Sequence, residues 1–467
     1  MKNHGGNGKM KRKRLGGGTE GEGEGDELEE QSAGTGNLQQ IRSGKGEGRS
    51  IYFVVNILIG SSRAVASLYE VDYPYPCSPT PSPRPRRLHP VARMDATAGI
   101  TYVPLHTRSR RWIVAISARR TTVFDADTEE LLPGPDLLSE KECPALVSVE
   151  DKIYALSTFP QIKGERDLEP WFEVLDLSTA TVVDGRLQGC SWEELPSPPC
   201  FPSPSRLAPH ELRYPPMVTV HSYVLVGSYL LMSLKSATRH ATHAFHTVSA
   251  KWQTVDDRKS LPFVGRATPH DAAAGVYLGE SSADNRWWSY AGQDQPAVLT
   301  AYCIKLLPAA SLPSSNDDKL DPAMKLSITG VPVKSSSETT TTTTGNAGGV
   351  VVKGIFCSSL HNGGSFCSLN WRSRKRIRQS RDDDLLAQDI YLPKKAYITL
   401  KTYQMDEDSS LLQQDKTTHK IAITEQPEQE FKIRTKSGGF VYPDFLTVLN
   451  TFSINGPSAA TGDVVAV

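Results

Sequence analysis

A phrase that recurs along the middle of the sequence constrains the fold more than any other feature. Each copy has an apolar run, then an aromatic or aliphatic residue beside a small polar one, and then a Leu-Pro pair. Three copies are clear, and they read Trp112–Ser117, Phe124-Asp125 and Leu132-Pro133; Ile153–Ser157, Leu175-Asp176 and Leu195-Pro196; and Tyr229–Leu234, Phe245-His246 and Leu261-Pro262. A fourth and looser copy ends at Leu307-Pro308. Repetition at roughly 45–65 residues is typical of β-propellers, in which each repeat forms one small sheet.

Strand signals extend through most of the chain. From Ile100 to about Leu307, short segments rich in Val, Ile, Tyr, Phe, Trp and Thr alternate with turn residues. Similar segments resume at Val350 and continue to Ile454. No long apolar stripe with the helical period of about 3.6 residues appears. The sequence therefore predicts an all-β fold, a degenerate β-propeller.

Composition divides the chain into a tail and one large domain. Residues 1–49 are Gly-rich and charged and have almost no large apolar side chains, so they cannot bury enough surface to offset the entropy lost on ordering. We predict a disordered tail over 1–49, a propeller over 50–455 and a frayed C-terminus over 456–467. Stretches rich in Pro, Ser or Thr predict soft insertions in the propeller near 73–94, 196–216 and 308–349.

Charge and cysteine content limit the partners and the compartment. The chain has 52 Lys and Arg residues and 52 Asp and Glu residues, so no global charge draws it to nucleic acid or to an anionic membrane. The seven cysteines include no C-x-x-C pair, which favours reduced thiols over a disulfide framework or a zinc site. The apolar stretch Ile51–Ile59 is far shorter than the ~20 residues that span a bilayer. We therefore expect a protein of the nucleus, the cytoplasm or both, with an unidentified protein partner and no binding to membrane or nucleic acid.

One part of the chain resembles a known family. The resemblance rests on four segments, which are Val218–Leu234, Ala244–Thr247 with Trp252, Leu261–Arg266 and Val276–Gly279. They resemble the signature of a grass-expanded group of kelch-like plant proteins, which is known only as a domain of unknown function. His246 departs from that signature, which usually has Asp at this position. The resemblance implies a kelch-like propeller and supplies no activity, cofactor or site residue.

The recurring phrase also has a physical interpretation. We expect the apolar run to be the inner or second strand of a blade, buried against the next blade. Asp125 or His246 then lies at a strand end, where a short polar side chain can bond to the turn backbone. Trp192 and Trp252 are wide enough to fill the space between sheets, so we expect both to be largely buried. The Leu-Pro pair ends the outer strand, because Pro cannot donate to the ladder.

Two groups of side chains could suggest a ligand site, and for each we favour a structural role. His240, His243 and His246 recur every three residues, but such residues face opposite sides of a strand, which does not suit a metal. The segment Trp287–Tyr290 could stack on a base or a sugar, yet packing between blades is the commoner use of such rings. No P-loop, H-E-x-x-H or G-x-S-x-G motif is present, so we expect no catalytic residue, no metal and no cofactor.

Two basic runs are the strongest candidates for a functional site. The second, Arg372–Arg378, follows Trp371 and precedes three aspartates. The first lies in the tail and is a candidate nuclear import signal, formed by Lys9, Lys11, Arg12, Lys13 and Arg14. For both runs, a solvated stretch of charge is the alternative. Neither has the interleaved aromatic residues of a nucleic-acid-binding module.

These observations favour a protein-interaction scaffold without catalysis. That expectation rests on the fold, because propellers commonly bind partners through the loops on one face, and it is an analogy. Two alternatives stay open: a propeller enzyme that acts on a small sugar-like molecule, and a nuclear protein associated with nucleic acid.

The tail run generates the first testable prediction. A fluorescent fusion of the full chain should be at least partly nuclear, because an import receptor needs only accessible basic side chains in an extended segment. Replacing Lys11, Arg12, Lys13 and Arg14 with Ala should shift the fluorescence to the cytoplasm. A wild-type fusion confined to the cytoplasm, or a variant that stays nuclear, would contradict the prediction.

Overall fold

Short antiparallel strands build the protein, as a computed structural model shows. The structure describes residues 49–59, 63–73, 85–96, 100–106, 110–162, 169–202, 218–235, 241–281, 298–308, 324–333, 350–360, 365–373, 390–391, 395–405, 423–425, 428–434, 440–441 and 446–453. These residues belong to one unit, 47–467. They contain no helix, and hence no helix that could cross a membrane.

The described strands are numbered in chain order. Those of the first half are β1 (Arg49–Ile59), β2 (Arg63–Tyr73), β3 (Arg86–Arg87), β4 (Ala92–Ala96), β5 (Thr101–His106), β6 (Arg111–Ser117), β7 (Arg120–Asp125), β8 (Glu130–Pro133), β9 (Ala145–Val149), β10 (Lys152–Leu156), β11 (Phe172–Asp176), β12 (Thr181–Val183), β13 (Arg186–Gln188), β14 (Trp192–Glu194), β15 (Thr219–Val226) and β16 (Tyr229–Lys235). Those that follow are β17 (Thr242–His246), β18 (Lys251–Asp256), β19 (Val264–Asp271), β20 (Val276–Ser281), β21 (Val298–Pro308), β22 (Met324–Pro332), β23 (Val350–Leu360), β24 (Ser365–Ser373), β25 (Ile390–Tyr391), β26 (Lys395–Met405), β27 (Ile423–Glu425), β28 (Gln429–Arg434), β29 (Phe440–Val441) and β30 (Leu446–Ser453).

The described strands form six blades, each an antiparallel sheet with a core of four strands. Five blades follow the chain from inner to outer strand: β5-β6-β7-β8, β9-β10-β11-β14, β15-β16-β17-β18, β19-β20-β21-β22 and β23-β24-β26-β28. We number these the second to the sixth blade. The first blade combines both ends of the domain, in the order β30-β1-β2-β4.

The inner strands close into a ring. Strand β5 contacts β9, β15 contacts β19, β19 contacts β23, β23 contacts β30, and β30 returns to β5. Between the third and fourth blades, the Val220 amide donates to the Thr158 carbonyl (2.8 Å). Strand β30 pairs with β1 from Arg49–Ser453 to Val55–Leu446, so the last strand closes the first blade. The protein is a β-propeller, which confirms the fold predicted from sequence and gives the blade number, six among the described residues.

Apolar side chains fill the wedges between blades. The predicted apolar runs are the second strands of three consecutive blades, β6, β10 and β16, and their side chains are mostly buried. Between the third and fourth blades, the rings of Phe172 and Phe245 meet edge to face, with centroids 4.8 Å apart. Fully burying a side chain of this kind contributes about 1.5–3 kcal/mol. Tyr154 of the run in β10 also meets Phe245, with ring centroids 6.2 Å apart, which confirms that this run is buried against the neighbouring blade.

Aromatic side chains also hydrogen-bond from one blade to the previous one. The Trp192 indole N–H lies 3.0 Å from Thr121 Oγ1 of the second blade. It also lies 3.2 Å from the carbonyl of Pro135, which follows the outer strand of that blade. The Trp252 N–H donates to the Pro196 carbonyl (2.7 Å), just beyond the third blade. Trp192 is 4% exposed, as predicted, whereas Trp252 is partly buried and packs against the edge of the core.

The fifth blade uses a tyrosine for the same purpose. The Tyr302 hydroxyl donates to the carbonyl of Pro262, 3.0 Å away, in the third Leu-Pro pair. In three successive interfaces, a proline carbonyl in the segment that follows an outer strand thus accepts a bond from the next blade.

Polar residues at the ends of third strands bond to the following turns, as predicted. Asp125 Oδ1 accepts the Asp127 amide (2.9 Å), and Asp176 Oδ1 accepts the Ser178 amide (2.9 Å). In the fourth blade His246 takes this role, with Nδ1 at 2.8 Å from Ser249 Oγ. Its ring also stacks on Tyr229, with centroids 4.6 Å apart.

Three sequence predictions need correction. Strands β3 and β4 occupy the end of the stretch 73–94 that we expected to be a loop, and β3 pairs in parallel with β28 of the sixth blade. Strand β22 lies inside the predicted insertion 308–349. Its alternation of Met, Leu and Ile with polar residues is a strand signal that the Ser/Thr-rich flanks obscured. Leu307-Pro308 ends the third strand of its blade rather than the outer strand, because β22 pairs beyond it. Leu261-Pro262 also does not end its outer strand, because β18 ends at Asp256.

The tryptophan contacts generate a stability prediction. Trp192→Ala should lower the free energy of unfolding by about 3–5 kcal/mol, because a buried ring is lost between blades. Trp192→Phe keeps a ring and loses the indole hydrogen bonds, so its cost should be smaller, about 1 kcal/mol. Urea denaturation measures both. Val248→Ala, in a turn where Val248 is 80% exposed, is the control and should change stability by less than about 0.5 kcal/mol. Equal midpoints for all three variants would contradict the role of Trp192.

Candidate functional site on the upper face of the second and third blades

The strand order gives the propeller two faces. Since neighbouring strands are antiparallel, the connections after the second and fourth strands of a blade leave on one face, and the others leave on the opposite face. We call the first of these the upper face. In the second and third blades it carries segments 118–119, 134–144 and 157–162. The lower face carries tight turns, among them 126–129 and 247–250.

Backbone hydrogen bonds join the upper-face segments to one another. The Leu137 amide donates to the Arg119 carbonyl (2.8 Å), and the Lys141 amide donates to the Ala118 carbonyl (3.2 Å). The Thr158 hydroxyl donates to the Cys143 carbonyl (3.0 Å). Residues 137–143 and 158–159 thus form one connected surface, which we call the platform.

A buried ion pair anchors the platform to the third blade. Lys141 and Glu173 are both fully buried, and the Lys141 ammonium contacts Glu173 Oε1. It also donates to Ser139 Oγ (2.6 Å) and to the Pro170 carbonyl (2.7 Å), so its three protons all have acceptors. Glu173 Oε2 accepts the Leu138 amide (2.7 Å), and Oε1 accepts the Ser139 amide (3.2 Å). A buried pair is stabilising only when its remaining hydrogen bonds are satisfied, and these are.

The Ser139–Lys141 contact has the composition of a serine–lysine catalytic pair, but not the chemistry. A lysine that activates a serine must be able to lose its proton. The adjacent Glu173 carboxylate favours the charged ammonium. Ser139 is 7% exposed, so a substrate would have no access to its hydroxyl. The geometry instead suits a structural role. The Lys141–Glu173 ion pair, which we call the clamp, holds the loop 134–144 against the third blade.

The platform leaves two large apolar side chains in solvent. Leu138 is 46% exposed although its own amide is bonded to the buried Glu173. Phe159, next to the bonded Thr158, is 39% exposed. Exposed apolar groups on a backbone held by hydrogen bonds are the kind of surface that binds a partner.

Most side chains that the sequence marked as candidate sites lie outside the described residues. They are the import-signal residues Lys9, Lys11, Arg12, Lys13 and Arg14, together with His240 and the segment 287–290. Strand β24 includes the first two residues of the basic run, Arg372 and Ser373, and 374–378 fall outside the description.

The described histidines have ordinary structural partners. His243 is buried in β17, with Nδ1 at 3.2 Å from Thr254 Oγ1, and burial lowers the pKa of its imidazole. His246 bonds to Ser249 at the following turn. Within the described part of the chain, no group of three His, Cys, Asp or Glu side chains could hold a metal.

Sequence reasoning missed Ser139, Lys141 and Glu173. Glu173 had a usable signal, because it is a carboxylate flanked by Trp171, Phe172 and Val174, where an unpaired charge would be unfavourable. Lys141 had none, since its neighbours are polar and its burial depends on the third blade.

Removing half of the clamp should destabilise the propeller. Lys141→Met leaves the Glu173 charge buried without a cation and should lower the free energy of unfolding by about 3–5 kcal/mol. Lys141→Met combined with Glu173→Gln should lower it by less than the sum of the single changes, because the second change removes the unpaired charge.

Lys152→Met provides the matched control in urea denaturation. It breaks the Lys152–Asp176 pair (3.3 Å), whose side chains are largely exposed, and should cost at most about 1 kcal/mol. Equal losses for Lys141→Met and Lys152→Met would contradict the clamp.

Solved structures with a similar arrangement share little sequence with this chain. A protein from Lactobacillus plantarum has 10% identity and a TM-score of 0.33, over 85% of this chain and 100% of that one. A candidate 6-phosphogluconolactonase from Bacteroides uniformis has 11% identity and a TM-score of 0.29, over 82% and 100%. The β-propeller domain of Myceliophteria thermophila Cps50 (Swd1) has 10% identity and a TM-score of 0.24, over 64% and 83%. Likenesses this weak carry no argument about function.

Sequence comparison identifies the family. No curated protein matches the chain significantly. The model of one family, described as "Protein of unknown function (DUF1668)", matches residues 49–419. This match covers most of the chain and confirms the expected membership in a family defined as a domain of unknown function. The protein belongs to the DUF1668 family.

Proposed function

We propose that this protein is an interaction scaffold that binds a protein partner through its upper face, in the nucleus, the cytoplasm or both, and catalyses no reaction itself. The platform is the observation that carries the proposal. Leu138 and Phe159 stay exposed while hydrogen bonds from Glu173 and Thr158 hold the backbone around them. A surface ordered before binding loses little conformational entropy when a partner arrives.

The contacts of the described carboxylates support a role without catalysis. Asp125 accepts the Trp112 indole N–H (3.1 Å) and a turn amide. Asp127 pairs with Arg111, and Asp256 accepts the Arg258 and Lys259 amides. Side chains that hold turns in this way are poorly placed to serve as a general acid or base.

Paired surface variants test the proposal. Leu138→Gln combined with Phe159→Gln removes the apolar groups without adding charge beside Glu173, and Val248→Gln is the control on the lower face. Purified wild-type protein should capture a partner from extracts of the cells that make it. That partner, once purified, should bind the double variant about tenfold or more weakly, since central contacts each contribute more than about 1 kcal/mol.

Val248→Gln should bind like the wild type, and all proteins should melt at similar temperatures. A partner that binds all three proteins equally would contradict a role for the platform. The absence of any saturable partner would contradict the scaffold.

A further inference from the structure

A short parallel bridge joins the innermost strands of the fourth and fifth blades. Ser222 of β15 is in register with Gly265 of β19, and Tyr223 is in register with Arg266. Residues in register on paired strands point to the same side. Tyr223 and Arg266 are therefore neighbours on one side of the bridge, at the centre of the propeller.

A bulge in β19 makes this bridge. The register between β19 and β20 shifts between Val264 and Thr268, so the intervening residues leave β20 and meet β15 instead. Gly265 has φ +68°, a conformation that suits glycine. Bulges of this kind redirect a side chain and are common beside binding sites. Here the bulge brings Arg266 against β15.

Arg266 has no acidic partner among the described residues. It is half-buried, and the titratable group that interacts with it is the phenol of Tyr223. Burial lowers the pKa of its guanidinium, so the site disfavours the charge that it contains. A cation partly removed from water is stabilised by an anion, and none of the residues that the structure describes supplies one here. Lys141, by contrast, has Glu173.

Tyr223 adds a hydrogen-bond donor beside the guanidinium. Its side chain is half-buried and packs against the core between the third and fourth blades. Burial raises the pKa of its phenol, whereas Arg266 lowers it. The hydroxyl therefore keeps its proton at neutral pH and can donate it.

Solvent reaches this pair. Neither Tyr223 nor Arg266 is fully buried. A small ligand in solution can therefore contact the two side chains.

We propose that Tyr223 and Arg266 form a binding site for a small-molecule oxyanion, a carboxylate or a phosphate group. A guanidinium presents parallel N–H donors that match two oxygens of such a group. The phenol can donate to one of the same oxygens. Tyr223 interacts with Cys143 of the platform, but neither residue of the pair is one of the exposed apolar groups that carry the scaffold proposal. The two proposals are tested by different variants, so the scaffold proposal can fail while this one holds, and the reverse.

Calorimetric titration of the purified full chain tests the site. The probes are inorganic phosphate and succinate, each added at constant ionic strength with chloride as the balancing ion. At least one should bind saturably to the wild type, and whichever binds shows whether the ligand carries a phosphate or a carboxylate group. Arg266→Gln should weaken that binding about tenfold or more, because charge-assisted hydrogen bonds are lost. Tyr223→Phe should weaken it about fivefold, because it loses one hydroxyl and keeps the ring.

Melting in chloride separates binding from folding. Arg266→Gln should melt at or above the wild-type temperature, since it removes a charge that has no acidic partner, and should lose the stabilisation by phosphate or succinate. If Arg266→Gln does not fold, Tyr223→Phe decides. Arg258→Gln is the control, since Arg258 is largely exposed, and it should bind like the wild type. Absence of saturable binding of both anions, or equal binding by wild type, Arg266→Gln and Tyr223→Phe, would overturn the proposal.

Discussion

Hydrogen bonds from aromatic side chains to proline carbonyls hold successive blades together. A proline that follows an outer strand cannot donate to the ladder, yet its carbonyl can still accept. The Trp192 indole and the Tyr302 phenol reach the carbonyls of Pro135 and Pro262, which follow the outer strands of the preceding blades, and the apolar body of each ring is buried between sheets. The Leu-Pro and aromatic elements of the repeat therefore belong to the interface between two blades rather than to one blade.

Closely packed blades allow a loop to be held by a buried charge. The loop between the second and third blades places Lys141 against Glu173, and every proton of the ammonium has an acceptor. Removing two charges from water is unfavourable, and only complete hydrogen bonding offsets the loss. The result is a backbone that leaves Leu138 in solvent while its amide is fixed. This combination of rigidity and exposure underlies the proposed scaffold.

The buried cation Lys141 and the half-buried cation Arg266 have opposite environments in the same propeller. Lys141 is enclosed with Glu173, and its environment is complete. Arg266 lies on a bulge of an innermost strand, where it is near a phenol but near no carboxylate among the described residues. Structural cations are normally paired when they leave water. A cation that lacks an acidic partner and is accessible to solvent, such as Arg266, is better suited to bind a ligand that supplies the negative charge.

The sequence by itself determined the second strands, the bonded turns after Asp125 and Asp176, and the burial of Trp192. Each depends on local periodicity, turn chemistry or side-chain size, which a short window of sequence contains. Only the tertiary structure decided the six blades, the closure of the first blade by β30 and the two candidate sites. Glu173 is 32 residues from Lys141, and Tyr223 meets Arg266 through an inter-blade bridge. Which residues meet across blades depends on the angle at which the sheets pack around the ring. No local sequence pattern encodes that angle.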